Sequence, residues 1–181
     1  MPPPPPAAPK AFRGATLDFA IRQPPWVFLV YGGRYLVEHD NGLRLDLGTL
    51  LVPPNRAWVE EIRWARVIGR ILYVENAHLT YASATLERNA YLTAVDVGSG
   101  KIRWRSPALV ANADTFVIAG DYIVSGYGFT AEPDNLYLLD RRTGRIVDRL
   151  AVPSAPDAIR LRGDRLHVRT YDRRLVVRIA R

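Results

Sequence analysis

The sequence predicts an all-β chain of tandem four-stranded antiparallel blades, about four of them, forming a small or partial β-propeller. Three observations predict it. From residue 12 onward apolar and polar residues alternate with period two, and no segment keeps a helical period. Val, Ile, Tyr, Trp, Phe and Thr gather in short runs separated by Gly, Pro, Asn and Asp, the usual punctuation of strands and turns. One unit also recurs: a strand, a Gly turn, a strand, a variable hairpin, a third strand, an Asp-containing turn ending in Thr/Ser-Gly, and a fourth strand.

In chain order, residues 1–11 form a proline-rich lead, "MPPPPPAAPKA", expected to be a disordered tether with polyproline II character. Residues 12–181 form the repeat domain. Its first hairpin is expected four times: "FLVYGGRYLV" (28–37), "ARVIGRILYV" (65–74), "FVIAGDYIV" (116–124) and "IRLRGDRLHV" (159–168). The turn glycines are Gly33, Gly69, Gly120 and Gly163, at spacings of 36, 51 and 43 residues. Third strands follow in "GLRLDLGT" (42–49), "YLTAVDVGSG" (91–100), "LYLLDRRTG" (136–144) and "RRLVVRIAR" (173–181). Pro24, Pro25, Pro53, Pro54, Pro107, Pro153 and Pro156 mark the joins, because proline cannot donate to a ladder. Asn41-Gly42 predicts a tight hairpin turn, whereas the loops 76–90 and 126–135 are longer and variable. Runs such as "TFVIAGDYIVSGYGF" carry apolar or small residues at both parities. That suits a blade packed on both faces better than a sandwich strand with one polar face.

The segments "VDVGSGKIRW" and "LLDRRTGRIV" resemble the quinoprotein-like repeat, the propeller repeat of pyrroloquinoline-quinone dehydrogenases and of their non-enzymatic bacterial relatives. The resemblance spans residues 14–181 and is weakest in the first unit, where Leu47-Gly48-Thr49 lacks the closing Gly-Lys. It implies W-shaped blades with the first strand nearest the axis, an Asp-led turn closing each outer hairpin, and Trp104 packed between neighbouring blades. It places the chain in the non-enzymatic branch. The quinone enzymes of the family use a vicinal disulfide, a metal-binding carboxylate and Asn, and a catalytic Asp. The chain has no cysteine, so it cannot carry that disulfide, and no cofactor is expected. Related repeat proteins are often exported, which points to the bacterial cell envelope; no signal peptide is evident in "MPPPPPAAPK".

The net charge of +7 is concentrated at one end. Residues 140–181 hold 12 Arg against 5 Asp, while residues 1–139 are balanced. In "AIRLRGDRLHVRTYDRRLVVRIAR" the alternation puts Ile159, Leu161, Leu166, Val168, Leu175, Val177 and Ile179 on one face. Arg160, Arg162, Arg165, His167, Arg169, Arg174 and Arg178 fall largely on the other. Unpaired guanidinium groups cannot be buried cheaply, so the last blade is expected to show one face to water or to a partner. This favours an open arc, or a ring completed by a second copy or another protein. The alternative is a sealed four-blade ring in which "ATLDFAIR" (15–22) supplies the last blade's outer strand.

Catalytic constellations are not expected. Glu38-His39-Asp40 places neighbours on opposite faces of a strand, so the three cannot converge on a metal. Ser99 sits in repeat turn chemistry, and Ser125 lacks the upstream Gly of a nucleophile elbow. No stretch is apolar for the ~20 residues of a membrane span. Two functions stay open. One is a protein-interaction or self-associating scaffold using Tyr81, Tyr127 and Phe129 in the variable loops as exposed anchors, unless those rings pack at blade edges. The other is an anionic-ligand binder, for nucleic acid or acidic polysaccharide, using Arg160, Arg162, Arg165, Arg169, Arg174 and Arg178.

Overall fold

The computed structural model describes residues 4–40, 42–48 and 60–179. Within them the chain is a four-blade β-propeller of antiparallel sheets. The first sheet runs β1 (Ala11–Phe12), β2 (Ala15–Gln23), β3 (Trp26–Tyr31), β4 (Tyr35–Glu38), β5 (Arg44–Asp46). The second runs β6 (Glu61–Ile68), β7 (Ile71–Ala77), β8 (Tyr91–Asp96), β9 (Lys101–Arg105). The third runs β10 (Val117–Ala119), β11 (Tyr122–Tyr127), β12 (Asn135–Asp140), β13 (Ile146–Ala151). The fourth has three strands, β14 (Pro156–Arg162), β15 (Arg165–Thr170) and β16 (Arg174–Arg178). A 3-10 turn at Ala82–Thr85 interrupts the loop between β7 and β8.

The apolar alternation becomes packing between sheets. One cluster joins blades one and two through Ile21, Phe28, Val30, Ile62, Val67 and Val74. A second joins blades two and three through Tyr73, Leu92, Phe116, Ile123 and Leu139. A third joins blades three and four through Val117, Val124, Leu136, Ile159, Leu166 and Val168. Middle blades are therefore covered on both faces, which is why their strands are apolar at both parities. Trp104 ties blades two and three at the rim: its ring Nε1 donates to Arg141 O at 3.1 Å.

The hairpins at Gly69, Gly120 and Gly163 are two-residue turns closing the pairs Ile68↔Ile71, Ala119↔Tyr122 and Arg162↔Arg165. Each joins the first and second strands of its blade, and each glycine has φ between +59° and +62°. The hairpin at Gly33 differs from the expectation. Three residues, Gly32 to Arg34, close the pair Tyr31↔Tyr35, which shifts the parity by one. This hairpin joins β3 to β4, the second and third strands of its blade when the two-residue β1 is set aside. Both β2 and β3 pack on β6, as β10 and β11 pack on β14. Ile62 N donates to Gly33 O at 2.8 Å, so the next blade starts against this turn. Residues 15–22 are thus the first blade's own first strand. The alternative in which they complete the last blade is corrected: they pair with β3. The expected joins at Pro53 and Pro54, the turn residue Asn41, Thr49 and the last residues Ala180 and Arg181 lie outside the described residues.

The last part of the proline-rich lead meets the first blade. Ala11 and Phe12 pair with Thr16 and Ala15, and Tyr31 Oη donates to Pro9 O at 2.9 Å. Ala8 and Phe12 pack on Ala20, Leu29 and Tyr31, on the blade-one face turned away from blade two. That is the face a sealed ring would press against blade four.

Candidate functional site

Two surfaces are built well enough to bind something. The first is formed by the loops after β7 and β11. Asn89 pinches the base of the longer loop, accepting from His78 N at 2.7 Å and donating from Nδ2 to His78 O at 2.6 Å. Inside the loop, Glu87 N donates to Ala82 O at 2.8 Å. Leu86, Glu87 and Ala90 are held in the left-handed region with φ of +51°, +58° and +60°. Each non-glycine residue there costs roughly 1 kcal/mol, so the loop conformation is specified rather than adopted by default.

The second loop locks to the first through Glu132. Its Oε1 accepts from Ala82 N at 2.5 Å, and its Oε2 accepts from Tyr127 Oη. Asn112 braces the same loop, donating to Gly128 O at 2.8 Å and accepting from Gly128 N at 3.1 Å. The result is a rigid cap on which Tyr81 meets Phe129 edge to face, with ring centroids 4.9 Å apart. Leu79 is 50% exposed, Tyr81 43% and Leu86 70%. Leu79 and Leu86 were missed in the sequence because isolated loop leucines carry no periodic signal. Tyr127, expected as an exposed anchor, is corrected: it is 3% exposed and its hydroxyl is spent on Glu132. Its phenol is pushed well above the ordinary tyrosine range by burial first and by Glu132 second. Asp134 beside it is also pushed up, by burial and then by Glu132.

The second surface is the outer face of blade four. Register settles its composition. Arg162, Arg165 and Arg178 are directly opposed in one row; Arg160, His167 and Val176 form the next; Arg169 and Arg174 form the third. Arg178 donates from Nε to Asp164 at 2.9 Å, and Arg169 lies 3.4 Å from Asp157 and 3.7 Å from Asp114. Arg160, Arg162, Arg165 and Arg174 have no ion pair among the described residues. All six arginines are exposed, as is Val176. A shallow concavity of about 490 Å³ lies on this face between Arg160, Arg162, Arg169 and Arg174.

Between the blades the structure also gathers charges that no local pattern could reveal. Arg63 donates to Asp114 at 2.9 Å, and Asp114 reaches Arg169, so residues 51 and 55 positions from Asp114 meet around one carboxylate. Glu75 lies fully buried behind them, with both carboxyl oxygens lacking a hydrogen-bond partner among the described residues. Burial pushes its pKa well above the glutamate range; Arg63 pulls it down and Asp114 adds to the rise. Glu38, at the end of β4, is buried, His39 is half-buried and Asp40 is exposed in the turn that follows, so the three do not share one environment. Among the described residues no three His, Asp or Glu side chains converge on a metal position. No helix among them is long and apolar enough to cross a membrane.

No protein-family model and no curated protein sequence matches the chain significantly. Solved structures do. The computationally designed Ika4 protein matches at TM-score 0.59 and 13% identity, covering 96% of each chain. The dihydro-heme d1 dehydrogenase NirN, in complex with DHE, matches at TM-score 0.60 and 13% identity over 91% of this chain. The AfRom2 CNH domain matches at TM-score 0.55 and 12% identity over 92% of it. The chain spans 35% of the NirN chain and 51% of the CNH-domain chain. At such identities these likenesses show the propeller fold alone.

Proposed function

We propose that the chain is a non-catalytic scaffold that holds a protein partner on the cap formed by the loops of blades two and three. One observation carries this reading. Glu132 fixes two loops from different blades into a single body whose outer side exposes Leu79, Tyr81 and Leu86, with the half-buried Phe129 ring supporting Tyr81. Exposed apolar and aromatic side chains on a rigid support are the usual anatomy of a binding hot spot. A photo-cross-linking residue placed at Tyr81 is expected to give a discrete protein adduct in extracts of the source cells. The same probe at the exposed turn residue Ser99 is the control. The adduct should vanish when Leu86→Asp and Phe129→Ala are combined in the Tyr81-probe protein. Equal labelling at both positions would overturn the reading.

A second reading rests on the four guanidinium groups without ion pairs on blade four. Arginine forks suit phosphate and carboxylate, so this face is proposed as a site for nucleic acid or acidic polysaccharide. Heparin binding that falls steeply between 50 and 200 mM salt, on the order of tenfold or more, is the expected result. No binding even at low salt removes it.

A further inference from the structure

We infer that the outer edge of β16 is an acceptor for an added strand, and that the strand it takes is an extended acidic peptide with alternating apolar residues. β16 is the last strand of its sheet and pairs with β15 alone among the described residues. The ladder fixes which backbone groups remain free. Ile179 N donates to Asp164 O and Thr170 N to Arg173 O, so the odd-numbered residues of β16 bond to β15. In an antiparallel ladder the alternate residues point their N–H and C=O the other way. Arg174, Val176 and Arg178 therefore offer their backbone groups to the open edge.

The space beside that edge is apolar. Among the described residues β13, the outer strand of blade three, has no counterpart opposite it in blade four, and Leu150 is 46% exposed. A groove of about 360 Å³ lies there, lined by Leu136, Leu138, Leu150, Val177 and Ile179, with Asp148 beside Arg149 and Arg178 among its charged residues. A strand laid along β16 would place side chains opposite Leu175 and Val177 into this groove. Those opposite Arg174 and Arg178 would join the arginine face. Apolar residues suit the first set and carboxylates the second.

The same charges argue against a second copy as occupant. Antiparallel pairing of two β16 strands about Val176 would set Arg174 against Arg178 twice, and directly opposed like charges destabilise a ladder. The inference extends the interaction-module reading to a second surface, and rests on it only in taking the partner to be a polypeptide.

The test uses the full chain and a labelled peptide, acetyl-Thr-Glu-Val-Tyr-Val-Glu-Thr-amide, against a scrambled isomer and a version with Lys for Glu. The acidic alternating peptide is expected to bind one to one, at least tenfold tighter than either control, with the protein remaining monomeric by sedimentation. Val176→Pro removes an outward N–H and should cost at least tenfold in affinity without changing the far-UV spectrum. Should that variant fold poorly, the pair Arg174→Glu and Arg178→Glu should reverse the preference toward the Lys peptide. Tyr81→Ala with Phe129→Ala should leave peptide binding unchanged, so failure of the cap and failure of the edge read out separately. Equal affinity for the scrambled isomer overturns the inference. So does binding of heparin with no preference among the peptides, or dimerisation in place of peptide binding.

Discussion

At the scale of single residues, the aspartate turns carry the repeat. Asp96 accepts from Gly98 N, Ser99 N and Ser99 Oγ, and its other oxygen accepts from Arg103 at 2.9 Å. Asp140 repeats the pattern with Arg142 N, Thr143 N and Thr143 Oγ1. Arg103 first, and the Ser99 N–H second, hold the Asp96 carboxyl well below the usual carboxylate range. A lowered folded-state pKa stabilises above the unfolded value, and that contribution is lost as pH falls through the folded one. Asp96→Asn should therefore melt lower than the parent at pH 7, with the gap closing below about pH 4, where the unfolded carboxylate protonates. A gap constant from pH 7 to 2 in thermal scans contradicts this. The glycines ending the two turns make a matched pair. Gly100 and Gly144 have φ of +66° and +70°, but a Cβ on Gly100 meets open space while one on Gly144 would lie 2.3 Å from the Trp104 ring. Gly100→Ala is expected to cost about 1 kcal/mol in urea unfolding and Gly144→Ala about 3 kcal/mol; equal costs would remove Trp104 as a wedge between blades. Such turns are legible in a sequence because their bonds are local. The meeting of Arg63, Asp114 and Arg169 is not, since it exists only once three blades are stacked.

At the scale of elements, period-two alternation located the strands and the Gly turns located three first hairpins. The parity of the Gly33 turn was not readable, because Gly-Gly-Arg looks locally like the Gly-Arg and Gly-Asp turns elsewhere. Only the packing of β2 and β3 on β6 reveals that the first blade begins one strand earlier. Loop aromatics failed in the same way. Tyr127 and Phe129 have alternate positions in one run, yet one ring is buried under Glu132 and the other faces Tyr81. Tyr127→Phe should cost about 1 kcal/mol by taking a donor from the half-buried Glu132 carboxylate. It should also speed hydrogen exchange at Ala82 N, which shares Glu132. A loss of stability with unchanged exchange at Ala82 would show that Glu132 does not couple the two loops.

At the scale of the whole molecule, charge and packing set blade one and blade four apart from the middle blades. Three of the clusters join consecutive blades, and the fourth seats Ala8 and Phe12 on the free face of blade one. Blade four keeps its arginines outward on the other side, where a guanidinium row can stay hydrated. The clustering of Arg in the last quarter made this legible from the sequence; the covering of blade one by the N-terminal lead was not, because a proline-rich run gives no periodic cue. The most direct measurement is residue-resolved amide exchange along β16 and β11. Arg174, Val176 and Arg178 are expected to exchange fast and Leu175 and Val177 slowly, with β11 protected throughout. Protection of Arg174, Val176 and Arg178 equal to that of Ile123 and Val124 would mean that blade four is sealed at its edge, and would contradict the account.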